Sequence, residues 1–218
     1  MSDPVDAELV AARLQEVRRS IGELTDREVR IVGVTKTHGD DLVAAALAAG
    51  LVDLGENYAQ ELRDRVLPTS IAADVRWHFI GRLQSNKVRL VADRVWCWQS
   101  VDRASLVPEL ARRAPGARVM VQVDLAGIPG RGGCELVEVP ALVDLAVGAG
   151  LEVVGLMGVG PPGTAEDARL PFRRLVELAD DLGLPERSIG MSGDFGVAVE
   201  EGSTTVRLGS VLFGARER

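Results

Sequence analysis

The sequence predicts a (β/α)8 barrel, in which parallel strands alternate with helices. Eight short apolar runs recur along the 218-residue chain, and the stretches between them are long enough for helices. Several runs are rich in Val, Ile and Leu without polar alternation, as expected for parallel strands that helices cover. Eight strand–helix units in a chain of this length fit a barrel near the small end of that fold. A doubly wound open sheet is the alternative, because counting strands does not separate the two folds.

The first predicted element is an extra helix that precedes the barrel. Asp3 is its predicted N-cap, and Pro4 takes its first helical position. The helix carries an apolar stripe at helical spacing, formed by Val10, Leu14, Val17, Ile21 and Leu24. The predicted strands then follow in chain order: Ile31–Thr35, Leu51–Gly55, Trp77–Gly81, Val95–Gln99, Val119–Leu125, Val153–Val159, Ser188–Met191 and Thr205–Leu208.

Capping signals place two of the helices between strands. Asp40 and Asp41 are predicted to cap the helix after the first strand, and Gly50 is predicted to end it. Pro171 is predicted to start a later helix that Gly183 ends. That helix also has an apolar stripe, formed by Phe172, Leu175, Val176, Ala179 and Leu182.

Composition favours a single folded domain over residues 1–218, located in the cytoplasm. Hydrophobic residues make up 46% of the chain, which excludes a disordered protein. The formal net charge of -7 argues against nucleic-acid binding through phosphate neutralisation. The N-terminal segment is acidic and amphipathic, unlike a signal peptide, and no apolar run reaches membrane-spanning length.

The cysteines and histidines give no indication of a metal site. Cys97 and Cys134 lack the spacing of zinc or redox motifs and are predicted to be free thiols in a reducing compartment. His38 and His78 are the only histidines and have no suitable carboxylate neighbours in sequence. We instead expect His78 to be a hydrogen-bonded residue of the barrel. The tryptophans are predicted to pack between helices and sheet: Trp77, Trp96 and Trp98.

Lys36 directly follows the first predicted strand, where a charge is expensive to desolvate. The chain contains only one other lysine, Lys87, although it is rich in arginine. Taken alone, Lys36 is more simply interpreted as a surface lysine beyond a strand end. In a barrel, however, chemistry lies at the carboxyl ends of the strands. Burial there lowers the pKa of a lysine and supplies the free amine that attacks an aldehyde.

Two turns rich in glycine and serine follow the last two predicted strands, "IGMSGDFG" and "VRLGSVLFG". Barrel enzymes often hold a phosphate at this place, with backbone N–H groups and a short helix N-terminus. Gly209 would let the backbone approach the anion, while Ser192 and Ser210 would add hydroxyl donors. Ordinary helix capping uses the same serines, but their joint position after both strands favours an anion site.

A lysine that faces a phosphate site implies a carbonyl compound that carries a phosphate. A sugar-phosphate aldolase and a protein that carries pyridoxal 5'-phosphate (PLP) both fit. Arg207 favours PLP, because it lies two residues before Gly209 and can meet a planar ring there. A pyridine nitrogen that faces arginine accepts a hydrogen bond and stays unprotonated, which weakens the ring as an electron sink. The arrangement therefore favours holding the cofactor over carbanion chemistry.

Several segments of the chain resemble the motifs of a known family. The segments "VGVTKTHG", "DLGENYAQE", "WHFIGRLQSNKV", "GLMGVG", "IGMSGDF" and "GSTTVRLGSVLFGAR" are similar to the successive motifs of the pyridoxal phosphate homeostasis proteins (the YggS/PROSC family). The similarity runs from the first strand to the C-terminus in the same order. It implies a single barrel similar to the N-terminal domain of alanine racemase and of bacterial-type decarboxylases.

The resemblance implies roles for particular residues. Lys36 would form the internal aldimine with PLP, and Arg207 would face the pyridine nitrogen. Three residues would hold the phosphate: Ser192, Gly209 and Ser210. Asn57 and His78 would lie near the cofactor. The chain departs from the family where Gly39 replaces a frequent proline and where the segment around Arg131 lacks a frequent lysine, which bears on any secondary lysine role in cofactor transfer.

The family is described as binding and buffering PLP without established turnover, so the resemblance implies an intracellular PLP carrier. Delivery to PLP-dependent apo-enzymes would run through transimination, and we expect a monomer. An amino-acid racemase or decarboxylase is the alternative, but racemisation needs acid–base groups on both faces of the substrate carbon. The only tyrosine, Tyr58, is predicted to start the helix after the second strand. A Schiff-base aldolase is the third hypothesis.

Overall fold

Parallel strands close into a barrel in a computed structural model that describes residues 6–128 and 130–214 and omits the side chain of Thr69. The strands pair in chain order, and the last pairs with the first. Their bounds are β1 Arg30–Val34, β2 Asp53–Glu56, β3 Arg76–Phe79, β4 Val95–Val101, β5 Arg118–Val123, β6 Glu152–Gly158, β7 Glu186–Ser188 and β8 Thr205–Leu208. The predicted barrel is therefore confirmed, and the open sheet is excluded.

Helices surround the barrel and cover its strands. They are α1 Ala7–Gly22, α2 Asp40–Ala48, α3 Ala59–Asp64, α4 Thr69–Ala72, α5 Ser85–Val88, α6 Val107–Arg113, α7 Val139–Gly148, α8 Arg169–Asp181, α9 Phe195–Glu200 and α10 Ser210–Phe213. Short 3-10 turns precede α6, α7 and α8. The main apolar core lies between this outer layer and the strands.

The extra N-terminal helix α1 packs against α2 and α10. Its predicted stripe is confirmed by four buried residues: Val10, Leu14, Val17 and Ile21. Leu24 lies beyond the helix end and is exposed, so including it in the stripe was wrong. The predicted cap at Asp3 and first turn at Pro4 lie outside the described residues. Within them the helix begins at Ala7, and the Asp6 carboxylate accepts hydrogen bonds from the next free backbone N–H groups.

The start of α2 differs from the prediction. Gly39 is the N-cap residue and Asp40 already belongs to the first turn, so neither Asp40 nor Asp41 caps the helix. The Asp40 carboxylate instead accepts hydrogen bonds from Arg65 and from the backbone N–H of Val66. It thereby ties α2 to the segment after α3. The helix does end at Gly50 as predicted, since that glycine has a φ of 78°.

The last quarter of the chain shows two shifts of element bounds. Helix α8 begins two residues before Pro171, which lies in its first turn, and it ends before Gly183 as predicted. Strand β7 ends at Ser188, although the sequence predicts a strand from Ser188 to Met191. Gly190 has a φ of 96° and turns the backbone away from the sheet.

The tryptophans occupy two different environments. Trp77 and Trp98 are buried in the apolar core, which confirms the packing prediction for them. Trp96 differs, because its ring lies at the amino-terminal end of the barrel, edge-on to His78. Three guanidinium groups lie 4.7 to 5.3 Å from its ring centroid: those of Arg30, Arg76 and Arg118. Helix–sheet packing is therefore the wrong interpretation for Trp96.

Gly155 allows close contact between β6 and β7. The register between β5 and β6 shifts beside it, and a Cβ on Gly155 would lie 1.9 Å from the backbone oxygen of Glu186. We expect Gly155→Ala to lower the free energy of unfolding by about 1–3 kcal/mol, because overpacking forces the backbone to shift. Denaturant unfolding measures the change. Gly148→Ala is the control, since a Cβ there meets nothing within 4 Å; equal losses in both variants would contradict the packing argument.

Candidate functional site

Five of the predicted site residues line one cavity of about 420 Å³ at the carboxyl ends of β1 and β8: Lys36, Ser192, Arg207, Gly209 and Ser210. The remaining lining residues are Val34, His38, Met191, Gly193 and Gly214. Parallel strands of a closed barrel bring their carboxyl ends to the same rim. Residues separated by more than 150 positions in sequence therefore meet around one space. The sequence offered no signal for Met191 and Gly193 beyond their place in the turn after β7.

Lys36 occupies the corner of a tight turn that follows β1. The backbone N–H of His38 donates to the carbonyl of Thr35 over 3.1 Å, which closes the turn. Thr37 has a φ of 65°, a left-handed conformation that costs about 1–2 kcal/mol for a side chain with a Cβ. Its N–H donates to the Glu61 carboxylate over 2.9 Å. The contact with Glu61 on α3 therefore holds a strained turn, and that turn fixes the backbone of Lys36.

A buried ion pair supports this turn through contacts with Thr35. Glu56 is fully buried and pairs with Arg65, which is itself buried. The Thr35 hydroxyl donates to the same carboxylate over 2.7 Å, and Arg65 donates to the Thr35 carbonyl over 3.0 Å. Burial raises the pKa of Glu56, while Arg65 and the Thr35 hydroxyl act in the opposite direction. Glu56 thus pairs locally and anchors the end of β1.

The turns after β7 and β8 meet through Ser192. Its hydroxyl oxygen accepts from the backbone N–H of Gly209 over 3.2 Å and of Val211 over 3.4 Å. Gly209 has a φ of -112°, and a Cβ on it would approach no closer than 3.7 Å to Val34. Its protein neighbours therefore do not require glycine. What the glycine preserves is space in the cavity, next to hydroxyl and N–H groups that suit an anion.

Arg207 projects from β8 and is almost fully buried, with 4% of its surface exposed. One terminal nitrogen donates to the carbonyl and hydroxyl oxygens of Ser188, over 2.6 and 2.7 Å, and the other donates to the carbonyl of Gly158 over 2.8 Å. These bonds engage three of its five N–H groups. Burial lowers the pKa of Arg207 to about 10, and the charge of Asp194 opposes that shift. The group remains a cation at neutral pH.

Asn57 and His78 do not line this cavity. His78 is fully buried inside the barrel, where one ring nitrogen lies 2.9 Å from Asp53 and the other 2.7 Å from Gln99. It is thus a hydrogen-bonded barrel residue, as predicted. Asn57 directly follows β2, and its side-chain oxygen is buried without a hydrogen-bond partner among the described residues. Proximity of either residue to a cofactor stays a prediction.

The neutral state of His78 leads to a pH-dependent stability. Burial lowers its pKa, and the nearby Asp53 carboxylate opposes that shift. The unfolded ring binds protons near its usual pKa of about 6.5, so below that pH the unfolded state binds more protons than the folded state. We therefore expect the free energy of unfolding to fall as the pH is lowered from about 7.5 to about 5.5, by up to about 1.4 kcal/mol per pH unit.

Urea unfolding across that pH range checks the slope. In His78→Gln the contribution of this ring disappears and the slope flattens. His38→Gln, which replaces the other histidine, is measured in parallel and shows how much of the slope comes from His38. An identical pH dependence in wild type and His78→Gln would contradict a neutral buried His78.

The described residues contain neither a metal-type cluster nor a membrane span. No three His, Cys, Asp or Glu side chains among them approach one another as metal ligands would. In the same part of the chain, no helix combines the length and the apolar character needed to cross a bilayer. Cys97 and Cys134 are free and buried, and burial raises the pKa of Cys97 to about 12 and of Cys134 to about 11. The residues of the cavity described above therefore remain the strongest candidates for chemistry.

The closed barrel with its cavity at the rim defines the class of protein. The family model described as "Alanine racemase, N-terminal domain" matches residues 5–217, which is almost the whole chain. Alanine racemase from Bacillus anthracis with bound L-Ala-P has the same fold, with a TM-score of 0.70 at 17% identity. That match covers 98% of this chain but 57% of the racemase chain. The molecule is thus a barrel of the alanine racemase N-terminal type.

Within this class the chain belongs to the family of pyridoxal phosphate homeostasis proteins. It is 39% identical over 217 residues to the "Pyridoxal phosphate homeostasis protein" of Pseudomonas aeruginosa, covering 95% of this chain and 93% of the relative. The structure of PipY from Synechococcus elongatus PCC7942 with PLP bound is also similar, with a TM-score of 0.77 and 31% identity. That match covers 94% of this chain and all of PipY. The family predicted from the sequence motifs is therefore confirmed.

Proposed function

We propose that residues 1–218 form a single PLP-binding unit that stores the cofactor and delivers it inside the cell. The observation that carries this proposal is the shared cavity, in which the Lys36 amine, the hydroxyl and N–H donors of the two last turns, and the buried Arg207 guanidinium meet. The PLP-bound structure of the relative PipY supports the same assignment. PLP has the groups that these residues suit: an aldehyde, a phosphate and a pyridine nitrogen.

Each residue has one role in holding the cofactor. Lys36 binds PLP covalently as an internal aldimine, with loss of water from the aldehyde and the amine. Ser192, Gly209 and Ser210 bind the phosphate through hydroxyl and backbone N–H groups. Arg207 donates to the pyridine nitrogen with an N–H group that its bonds within the protein leave over. Asn57 and His78 lie near the cofactor.

Delivery takes place by transimination. An incoming primary amine adds to the carbon attached to the Lys36 nitrogen, and the lysine amine leaves, so no carbon–carbon or carbon–hydrogen bond breaks and no redox partner is needed. PLP supplies an electron sink only to the extent that its ring nitrogen is protonated. Arg207, with a pKa near 10, is a hydrogen-bond donor and not an acid at neutral pH. The site thus favours exchange of the cofactor over carbanion chemistry.

The alternative of an amino-acid racemase needs a second acid–base group on the face of the substrate opposite Lys36, and Tyr58 is not placed to supply it. Tyr58 is the N-cap residue of α3 and is 52% exposed, in agreement with its predicted place after the second strand. It does not line the cavity with Lys36. We therefore propose a carrier without turnover, acting as a cytoplasmic monomer whose partners are PLP and PLP-dependent apo-enzymes.

The visible spectrum of the freshly purified protein tests the proposal. We expect a yellow protein whose visible band disappears on borohydride reduction, with the pyridoxyl group found by peptide mass mapping on Lys36. Lys87, the only other lysine, provides the internal control and should stay unmodified. A colourless protein that borohydride traps only with a keto or aldehyde phosphate would indicate an aldolase instead. Steady turnover of either enantiomer of an amino acid would indicate an enzyme.

A further inference from the structure

A single line of side-chain hydrogen bonds crosses the interior of the barrel and ends at Arg207. The Arg207 guanidinium is 2.7 Å from the Ser188 hydroxyl, which is 2.7 Å from the Gln99 side-chain oxygen. The Gln99 nitrogen is 2.7 Å from one ring nitrogen of His78, and the other ring nitrogen is 2.9 Å from Asp53. The bond between Gln99 on β4 and Ser188 on β7 joins strands that are not neighbours. The line therefore passes through the barrel lumen.

The two charged ends and the neutral state of His78 together fix the direction of every bond. An ionised carboxylate only accepts, so His78 donates to Asp53 from Nε2, and because the ring is neutral it accepts from Gln99 at Nδ1. Gln99 then uses its nitrogen as the donor to His78 and its oxygen as the acceptor from Ser188. Arg207 only donates, so the Ser188 oxygen accepts from it. All four bonds point from the cation at one end to the anion at the other.

Each partner in this line is buried, and three of them are fully shielded from water: His78, Gln99 and Ser188. In such surroundings hydrogen bonds that point the same way polarise and strengthen one another. Reversing any one of them alone would set two buried donors or two buried acceptors against each other, which is strongly unfavourable. The five residues therefore act as one unit.

The far end of the line is held in its charged state by other groups. Arg76 donates to the second oxygen of Asp53 over 2.5 Å, and Arg30 lies 3.9 Å from the first. Burial raises the pKa of Asp53, but its bonds with His78 and Arg76 outweigh burial and lower the pKa overall. Asp53 also lines a second cavity, of about 490 Å³, that is separate from the one lined by Arg207. The line thus connects two opposite ends of the barrel.

We propose that Asp53 is a positioning residue for Arg207 and acts on it through His78, Gln99 and Ser188. The line fixes the guanidinium plane by one polar contact in addition to its backbone acceptors, and its carboxylate end lies away from the cavity that Arg207 lines. A carboxylate near the ring nitrogen would favour its protonation, whereas a distant one leaves the nitrogen as an acceptor. This inference rests on the proposed function only in assigning the pyridine nitrogen to Arg207.

The tautomer of His78 in the cofactor-free protein is the first test. With 15N-labelled histidine, only His38 and His78 contribute signals, and His78→Gln assigns them. We expect His78 to be neutral and protonated on Nε2. A ring protonated on Nδ1, or on both nitrogens at neutral pH, would overturn the proposal. Because this measurement needs no PLP and no core substitution, it separates failure of the line from failure of the proposed function.

Cutting the line at Gln99 is the second test. We expect Gln99→Leu to raise the PLP dissociation constant about tenfold or more, which corresponds to about 1.4 kcal/mol, and to shift the absorption maximum of the bound cofactor. Gln122→Leu is the matched control, since Gln122 is a buried glutamine of the neighbouring strand β5 that takes no part in the line. It should leave both quantities unchanged.

Two results of this second test would overturn the proposal. One is an unchanged dissociation constant in a Gln99→Leu protein that melts like wild type. The other is an equal loss in both variants, which would indicate a general effect of barrel packing. If Gln99→Leu does not fold, the tautomer measurement on wild type decides.

Discussion

Replacing Lys36 by alanine should abolish the visible absorption band of the bound cofactor and leave the protein folded. The covalent bond that we propose accounts for that band, and of the two lysines in the chain only Lys36 lines the cavity. The hydroxyl and N–H groups that we propose to bind the phosphate remain, as does Arg207. We therefore expect weak binding of PLP that dialysis removes. Absorption spectra before and after dialysis measure the effect.

The controls for this variant are straightforward. Lys87→Ala removes the other lysine, on the short helix α5, and should keep the full visible band. Lys36 lies on a partly exposed turn outside the core, so we expect the variant to keep its fold, which thermal unfolding beside the apo wild type checks. A Lys36→Ala protein that keeps its spectrum through dialysis would rule out the assignment of Lys36.

The parts of this site that the sequence predicted are those that depend on strand ends. The carboxyl ends of parallel strands share one rim, so finding β1, β7 and β8 was enough to bring Lys36, Ser192 and Arg207 together. β8 was predicted with its observed bounds, Thr205–Leu208, because its apolar run is short and ends at a glycine. A prediction at this level needs no knowledge of register.

What the sequence did not predict depends on register and closure. Gln99 ends one predicted strand and Asp53 lies in the middle of another, and nothing local indicates that one line of bonds joins them. Their meeting requires that β4 face β7 across a closed lumen, which only the completed barrel sets. The left-handed backbone of Thr37 is similar, since β-branched residues ordinarily avoid that conformation and contacts from α3 impose it here.

Replacing Arg65 by methionine should cause the largest loss of stability considered for this protein, about 3–5 kcal/mol, because it leaves a buried charge without its partner. Glu56 would keep only the Thr35 hydroxyl as a donor, and one of its oxygens already lacks a hydrogen bond among the described residues. Denaturant unfolding measures the loss. Arg63→Met in α3, the helix that ends just before Arg65, is the control, because Arg63 pairs with Asp64 at the exposed surface and should contribute little to stability.

The pH dependence of this loss follows from the charge. Without Arg65, the pKa of Glu56 rises further above its usual value, so the folded state binds a proton more readily than the unfolded state. A group of that kind stabilises the fold below its unfolded pKa, and that contribution is lost as the pH rises through the folded pKa. The difference in the free energy of unfolding between wild type and Arg65→Met should therefore become smaller as the pH is lowered. If this difference stays constant as the pH is lowered, lost packing and not the unpaired carboxylate is the cause.

The double variant Arg65→Met/Glu56→Gln separates the effect of the unpaired Glu56 charge from the effect on the turn that carries Lys36. With the carboxylate neutralised, most of the stability lost in Arg65→Met should return, since breaking a buried pair costs more than removing both charges. The hydrogen bond from Arg65 to the Thr35 carbonyl does not return, and that carbonyl also closes the turn that carries Lys36. PLP affinity should therefore remain below wild type in the double variant even where stability recovers. If affinity recovers together with stability, Arg65 acts on the site only by keeping the barrel folded.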